Sequence, residues 1–158
     1  MYAALPETGA KQLFVWNPGC GAGYESYSLA CVLRKRYPNA KIRIYAQDTD
    51  LLAVSNAPLM TVQKTASWYE PFLTQTVSGE WTFSPDIKDI VLFEYHDCTH
   101  TNPVAQVDIV FARDFLSFVP PASKANVLKI FMKKYADAVL LSLVITKFLP
   151  IAIIGLKL

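Results

Sequence analysis

Between the apolar run Leu13-Phe14-Val15-Trp16 and a segment of helical spacing stands Gly19-Cys20-Gly21-Ala22-Gly23. Alternating glycines bare the main chain, so a ligand can approach it and meet the free N–H donors at a helix start. The apolar run, bounded by Pro18 and the glycines, is expected to be a strand buried on both faces. Gly23 to Tyr37 is expected to be a helix, with Leu29, Val32, Leu33 and Arg36 at helical spacing, Arg34 to Arg36 at its negative end and Pro38-Asn39 as the stop. Lys41 to Ala46 is an isoleucine-rich second strand that ends at Gln47-Asp48-Thr49-Asp50. Strand, glycine loop, helix and strand in that order predict an α/β fold with a mostly parallel sheet and flanking helices. Sheets of this class bind ligands in the crevice above the carboxyl ends of their strands.

Further along, Leu51 to Asn56 predicts a short helix ending before Pro58, and Lys64 to Leu73 another, interrupted by Pro71. Residues from about 74 to 90, with Ser78-Gly79 and Ser84-Pro85, read as a small hairpin excursion. Val91 to Tyr95 and Asp108 to Ala112 are two more strands, and Ser123 to Tyr135 is a helix with Ser123 as N-cap and Val127, Leu128 and Phe131 facing the core. Val139 to Leu156 is almost continuously apolar, but Lys147 and Pro150 divide it into runs shorter than the roughly 20 residues of a membrane helix. Two buried strands are expected there, without stable membrane insertion. Pairing of these last strands with a second copy, a homo-oligomer, is one reading of so apolar a tail.

The 158 residues suit a single domain over 1–158. A hydrophobic share of 53% against 18% charged residues excludes general disorder. The 15 basic residues are interleaved with acids to a net charge of +2, which gives no phosphate-tracking surface and no expectation of nucleic acid. Cys20, Cys31 and Cys98 are odd in number and lack paired short spacings, which suggests reduced thiols in a cytoplasmic protein. Met1 to Glu7 lacks the basic start and apolar core of a secretory signal.

The glycine spacing narrows the ligand. A dinucleotide fingerprint needs its third glycine at Tyr24, and a Walker loop needs a Gly-Lys-Ser/Thr that is absent. A G-x-G-x-G loop with an acid after the next strand suits a ligand with an adenosine but no pyrophosphate, such as S-adenosylmethionine (SAM), since the Asp48 carboxylate can accept both ribose hydroxyls. The bland alternative is a tight structural turn.

Three blocks carry a resemblance. Trp16-Asn17-Pro18-Gly19-Cys20-Gly21-Ala22-Gly23-Tyr24-Glu25-Ser26-Tyr27-Ser28-Leu29-Ala30 resembles the W-x-x-G-C-x-x-G-E-E-x-Y-S-x-A signature of the CheR-type chemoreceptor glutamate methyltransferases. Ala46-Gln47-Asp48-Thr49-Asp50 is similar to that family's A-T-D-I-D, and Val110 to Phe118 to its I-F-C-R-N-V-x-I-Y-F. The resemblance covers roughly residues 11 to 135. It implies a Rossmann-like class I SAM-dependent methyltransferase fold, SAM as cofactor, glutamate carboxylates of chemotaxis receptors as acceptors and chemoreceptor cytoplasmic helices as partners. It further implies that Gly19, Cys20, Gly21 and Gly23 form the cofactor loop, that Glu25 meets the methionyl amino group, and that Asp48 holds the ribose. Phe93-Glu94-Tyr95-His96-Asp97-Cys98 looks like the family's F-x-x-x-N-L, which puts Asp97 and Cys98 on the adenine side.

The chain also departs from that pattern. Tyr24 replaces the first acid of the pair, Asp114 the asparagine of R-N, and Phe118 the tyrosine of I-Y-F. The family's N-terminal helical domain is expected to be missing, and its glycine turn is not recognisable in Ala136-Asp137-Ala138-Val139. No catalytic residue is identified. Arg113 is the candidate acceptor contact, or it pairs with Asp114 or Asp108. His96 to His100 offers alternate side chains on one face but no distant partner, so a polar turn is expected rather than a metal. Trp68, Tyr69, Phe72, Trp81 and Phe83 read as a roof over the sheet more than as a docking face. Cys20, with no base near it, reads as a small loop residue rather than a nucleophile. Two functions remain open: a SAM-dependent protein-glutamate methyltransferase, or a degenerate module that binds SAM or its demethylated product, S-adenosylhomocysteine (SAH), with a regulatory or assembly role.

Overall fold

The computed structural model describes residues 12–64, 68–101, 104, 107–134 and 139–141. The expectations for residues 1–7, for 136–138 and for the apolar run beyond Leu141 lie outside these residues.

Strand β1 (Gln12–Pro18) leads through the glycine loop to helix α1 (Tyr24–Arg36) and strand β2 (Lys41–Asp48). Along β1 the side chains alternate: Leu13 and Val15 enter one apolar cluster, Trp16 and Phe14 the other. The strand is thus covered on both faces, as its unbroken apolar run demands. Helix α2 (Leu51–Asn56) continues as a turn of 3-10 helix, and its first turn is capped by Asp50, whose side chain accepts from the Ala53 N–H at 2.9 Å.

The excursion is larger than a hairpin. Strands β3 (Thr61–Val62), β4 (Leu73–Gln75) and β5 (Trp81–Phe83) form an antiparallel sheet in the order β3-β5-β4. The expected helix over 64–73 is not formed in its described part, which is one 3-10 turn, Glu70–Phe72, running into β4. Pro71 explains this, since it cannot continue a helix that would need its N–H. Residues near the expected end of the hairpin instead form the short helix α3 (Pro85–Lys88). Tyr69, Phe72 and Phe83 pack on the core as a roof, whereas Trp68 is half exposed.

Strands β6 (Val91–Tyr95), β7 (Ile109–Phe111) and β8 (Val139–Leu141) complete a five-stranded sheet in the order β6-β2-β1-β7-β8, with every pairing parallel. Between β7 and β8 lie helices α4 (Phe115–Phe118) and α5 (Pro121–Lys134). Helix α5 begins two residues before the expected Ser123 cap. Pro121 takes the first helical position, where a missing N–H costs nothing. Val127 and Phe131 are buried as expected, but Leu128 is 40% exposed, one position off the buried stripe.

The chain runs outward from β1 through β2 to β6, then crosses back to β7 on the other side of β1. That reversal opens a crevice at the carboxyl ends of the central strands. Tyr27 of α1 joins the main sheet to the excursion, stacking on Phe83 at 4.5 Å and meeting Phe93 edge-on at 5.5 Å. We expect Tyr27→Ala to lower the unfolding free energy by about 3–5 kcal/mol, the usual cost of deleting a buried aromatic ring, as measured by urea denaturation.

Candidate functional site

The glycine loop is built from left-handed backbone. Gly19, Gly21 and Gly23 have φ of 72°, 51° and 88°, a region that disfavours any side chain. Contact reinforces the choice at two of them: a Cβ on Gly19 would stand 2.8 Å from the Phe115 ring, and one on Gly23 2.7 Å from Phe93. At Gly21 a Cβ would meet nothing within 4 Å, so this residue faces open space.

The loop is tied to the end of β2. Gly19 N–H and Cys20 N–H donate to the Gln47 carbonyl at 2.8 and 3.2 Å, and Gly21 N–H donates to Asp48 Oδ2 at 2.8 Å. Asp48 Oδ1 accepts from Asp50 N–H at 3.0 Å. Each Asp48 oxygen retains a lone pair for a further donor. A crevice of about 150 Å3 lies here, with Gly19, Asp48, His96, Asp97, Cys98 and Phe118 in its walls.

Asp97 is committed to its own turn. Its Oδ1 accepts from Thr99 N–H at 2.9 Å and Thr99 Oγ1 at 2.6 Å, and its Oδ2 lies 3.0 Å from His100 Nδ1. These bonds, chiefly those from Thr99, hold its carboxyl below the ordinary carboxylate value. Among the described residues no three His, Cys, Asp or Glu side chains gather as metal ligands. Cys98 and Cys20 are buried thiols, each pushed up to about 12, first by burial. A thiol so raised is a packing group.

A second cluster occupies the β1–β7 side. Asn17, fully buried, donates from Nδ2 to the Phe111 carbonyl at 2.9 Å and to Glu25 Oε1 at 3.2 Å, while its Oδ1 accepts from Ser26 Oγ at 2.6 Å. One amide thus joins β1, β7 and the first turn of α1. Glu25 Oε2 lies 3.7 Å from Arg113 Nη1, and Arg113 Nε lies 3.7 Å from Asp114 Oδ2. Asp108, the other partner considered for Arg113, instead accepts the Phe14 N–H at 2.7 Å. Burial raises the Glu25 carboxyl above its ordinary value; the Asn17 bond and Arg113 oppose this, and Asp114 adds to it.

The structure therefore brings Gly19, Asp48, Asp97 and Cys98 together around the crevice, while Glu25 and Arg113 pair with each other outside its lining. Cys20 and Gly23 serve the loop from within: the thiol points to the Gly21 carbonyl at 3.7 Å, and Gly23 packs on Phe93. Sequence reasoning missed Asn17 and Gln47. For Asn17 the available signal was a polar side chain directly after the apolar run Leu13–Trp16, and for Gln47 one directly after the buried Ala46. In this setting Gln47 accepts from Trp16 Nε1 at 2.9 Å and donates to Glu94 Oε2 at 2.9 Å across three neighbouring strands.

Known proteins share this fold. The family model for the CheR methyltransferase SAM-binding domain matches residues 3–144. A 104.1 kDa Rhodobacter capsulatus protein from the hypE 3' region is 26% identical over 127 residues, which is 74% of this chain and 13% of that protein. The chain thus spans about an eighth of that relative. Among solved structures, PKMT2 from Rickettsia typhi in complex with AdoHcy superposes with a TM-score of 0.57 at 12% identity, covering 87% of this chain and 21% of that one. A SAM-dependent methyltransferase from Methanosarcina mazei gives 0.56 at 17% identity, covering 88% and 53%. The DhpI–SAH complex gives 0.54 at 18%, covering 84% and 48%.

The raised Glu25 carboxyl has a consequence for stability. A group that binds its proton more tightly when folded contributes stability below its ordinary value of 4.5, and that contribution is lost as pH rises through the folded value. We expect Glu25→Gln to gain stability over the parent as pH rises from 4 to 7, measured by urea unfolding at each pH. The chain belongs to the CheR methyltransferase SAM-binding domain family, a SAM-dependent methyltransferase domain of Rossmann-like fold whose cofactor is S-adenosylmethionine.

Proposed function

We propose that the chain holds SAM across the carboxyl ends of β1 and β2 and positions its methyl group for transfer to a carboxylate oxygen, with glutamates of chemotaxis receptors as the acceptors. The carrying observation is the left-handed glycine loop, open at Gly21 and flanked by Asp48 on one side and Glu25 on the other. When bound, the cofactor supplies a methyl group already activated by its sulfonium, so the protein's task is positioning and electrostatics.

In this reading Asp48 accepts the ribose hydroxyls with the lone pairs that Gly21 and Asp50 leave free. Glu25 takes the methionyl ammonium, and Asn17 fixes the rotamer in which it does so. Asp97 and Cys98 form the adenine side of the crevice, where Asp97 accepts through what its turn leaves unused. Arg113 meets the acceptor carboxylate. Receptor helices are the partners, and the cytoplasm the setting, that this reading expects. Among the described residues no helix is long and apolar enough to cross a membrane.

A second reading, a binding module with little turnover, is favoured by Phe118. This residue stands in the crevice wall, 84% exposed, without the hydroxyl the family pattern carries there. Calorimetric titration with SAM and SAH, followed by methyl transfer to receptor fragments, separates the two. Binding with turnover supports the enzyme, and binding without turnover the module. We expect Asp48→Ala to weaken SAH binding by roughly 1–3 kcal/mol, the cost of losing a charge-assisted acceptor. Unchanged affinity would remove Asp48 from the site.

A further inference from the structure

Arg113 stands between two carboxylates, and neither holds it closely. Its Nη1 is 3.7 Å from Glu25 Oε2 and its Nε 3.7 Å from Asp114 Oδ2, both longer than a formed charge-assisted bond of about 2.7–2.9 Å. The side chain is half exposed, so water competes for it. Glu25 is the fixed member, because its other oxygen is held by the buried Asn17 amide. Asp114 stands on a left-handed φ of 53°, and its buried Oδ1 has no donor among the described residues. Half exposed and held by neither carboxylate at bonding distance, the guanidinium is free to move.

The charge count limits what it can do. Among the described residues one cation faces Glu25 and Asp114, and a carboxylate acceptor would make a third anion. While Arg113 is shared between the first two, the acceptor meets a site of net negative charge. A cation placed at Glu25 Oε2 would remove that competition. The guanidinium would then be free to close side-on against Asp114, with Nε on Oδ2 and a terminal N–H on the unpartnered Oδ1, leaving its outer N–H groups for another anion.

We propose that Arg113 is handed from cofactor site to acceptor site: the methionyl ammonium replaces it at Glu25, and the guanidinium, retained by Asp114, turns to the acceptor carboxylate, so that cofactor and acceptor bind in that order and strengthen each other. The inference rests on the reading above, in which Glu25 receives the ammonium. It gives Asp114 a purpose that an asparagine would serve less well, since only a carboxylate anchors the guanidinium by charge. The coupling is reciprocal by thermodynamic necessity: whatever factor the ammonium contributes to acceptor affinity, the acceptor returns to cofactor affinity.

The test uses two probes on the whole chain, SAH and methylthioadenosine, which shares the adenosine but lacks the amino acid. If Arg113 competes with the ammonium, Arg113→Met tightens SAH about two- to fivefold (about 0.4–1 kcal/mol at 1.4 kcal/mol per tenfold) and leaves methylthioadenosine unchanged. In a Glu25→Gln background the same substitution has no effect on either. Acetate, followed by the nitrogen resonance of the Arg113 side chain, binds at least threefold more tightly with SAH present than with methylthioadenosine present. Weaker SAH binding by Arg113→Met, an equal change for both probes, or equal acetate affinity would overturn the handover while leaving the cofactor site intact. Failure of methylthioadenosine itself to bind would remove the adenosine site and the handover together.

Discussion

The site depends on three main-chain donors of the glycine loop being held by the end of the neighbouring strand. Gly19 and Cys20 bond the Gln47 carbonyl, and Gly21 bonds the Asp48 carboxylate. A left-handed loop without side chains has large conformational freedom to lose, and these contacts are what select one shape from it. They also make Asp48 serve twice, as anchor of the loop and as wall of the crevice. The register of β1 with β2, Pro18 opposite Gln47, places loop and acid side by side. Since slipping a strand by one residue exchanges its two faces, the double-sided apolar clusters that fix this register also fix the site.

The glycine loop, helices α1 and α2 and the parallel strands β1, β2, β6 and β7 were legible because each is written locally: apolar runs, a glycine cluster, proline stops. Helix α5 began earlier than expected because Pro121 is a better first residue than Ser123 is a cap. The third strand of the excursion, Thr61–Val62, left no pattern, since two residues show no alternation and its place is set by pairing with Thr82 and Trp81. Of the site, the residues near the loop could be named in advance, and the pairing of Glu25 with Arg113 could not. Their partnership is created by β1 and β7 lying adjacent, which is a property of topology. Asn17 was hidden for the opposite reason: a polar residue beside a glycine turn looks like part of the turn, and only its burial reveals that it connects three elements.

Departures from the family pattern fall at the start of α1, in the crevice wall and in the turn after β7. Gly19, Gly21, Gly23, Glu25 and Asp48 keep the pattern, while Tyr24, Asp97, Asp114 and Phe118 depart from it, and Tyr24 and Phe118 are largely exposed. The buried Asn17 amide ties the carboxyl end of β7 to the first turn of α1, so any shift at Arg113 is resisted by the same group that orients Glu25. The coupling of the two sides is therefore a matter of one mobile guanidinium against a stiff frame.

The pairing of β1 with β7 also bears on how the chain assembles. Asp108 and Phe14 bond each other in both directions across a separation of 94 residues, whereas β1 meets β2 across a single helix. Closing the longer span is not much more costly in entropy, about 0.6 kcal/mol for each doubling of length. It is, however, necessarily later on a ribosome. The nascent chain can join Gly21 to Asp48 soon after Asp48 emerges, yet it carries neither Asp97 and Cys98 of the crevice wall nor Arg113 until about fifty and more than sixty further residues have been synthesised. A product truncated between Cys98 and Arg113 would thus carry Asp48, Asp97 and Cys98 without the arginine.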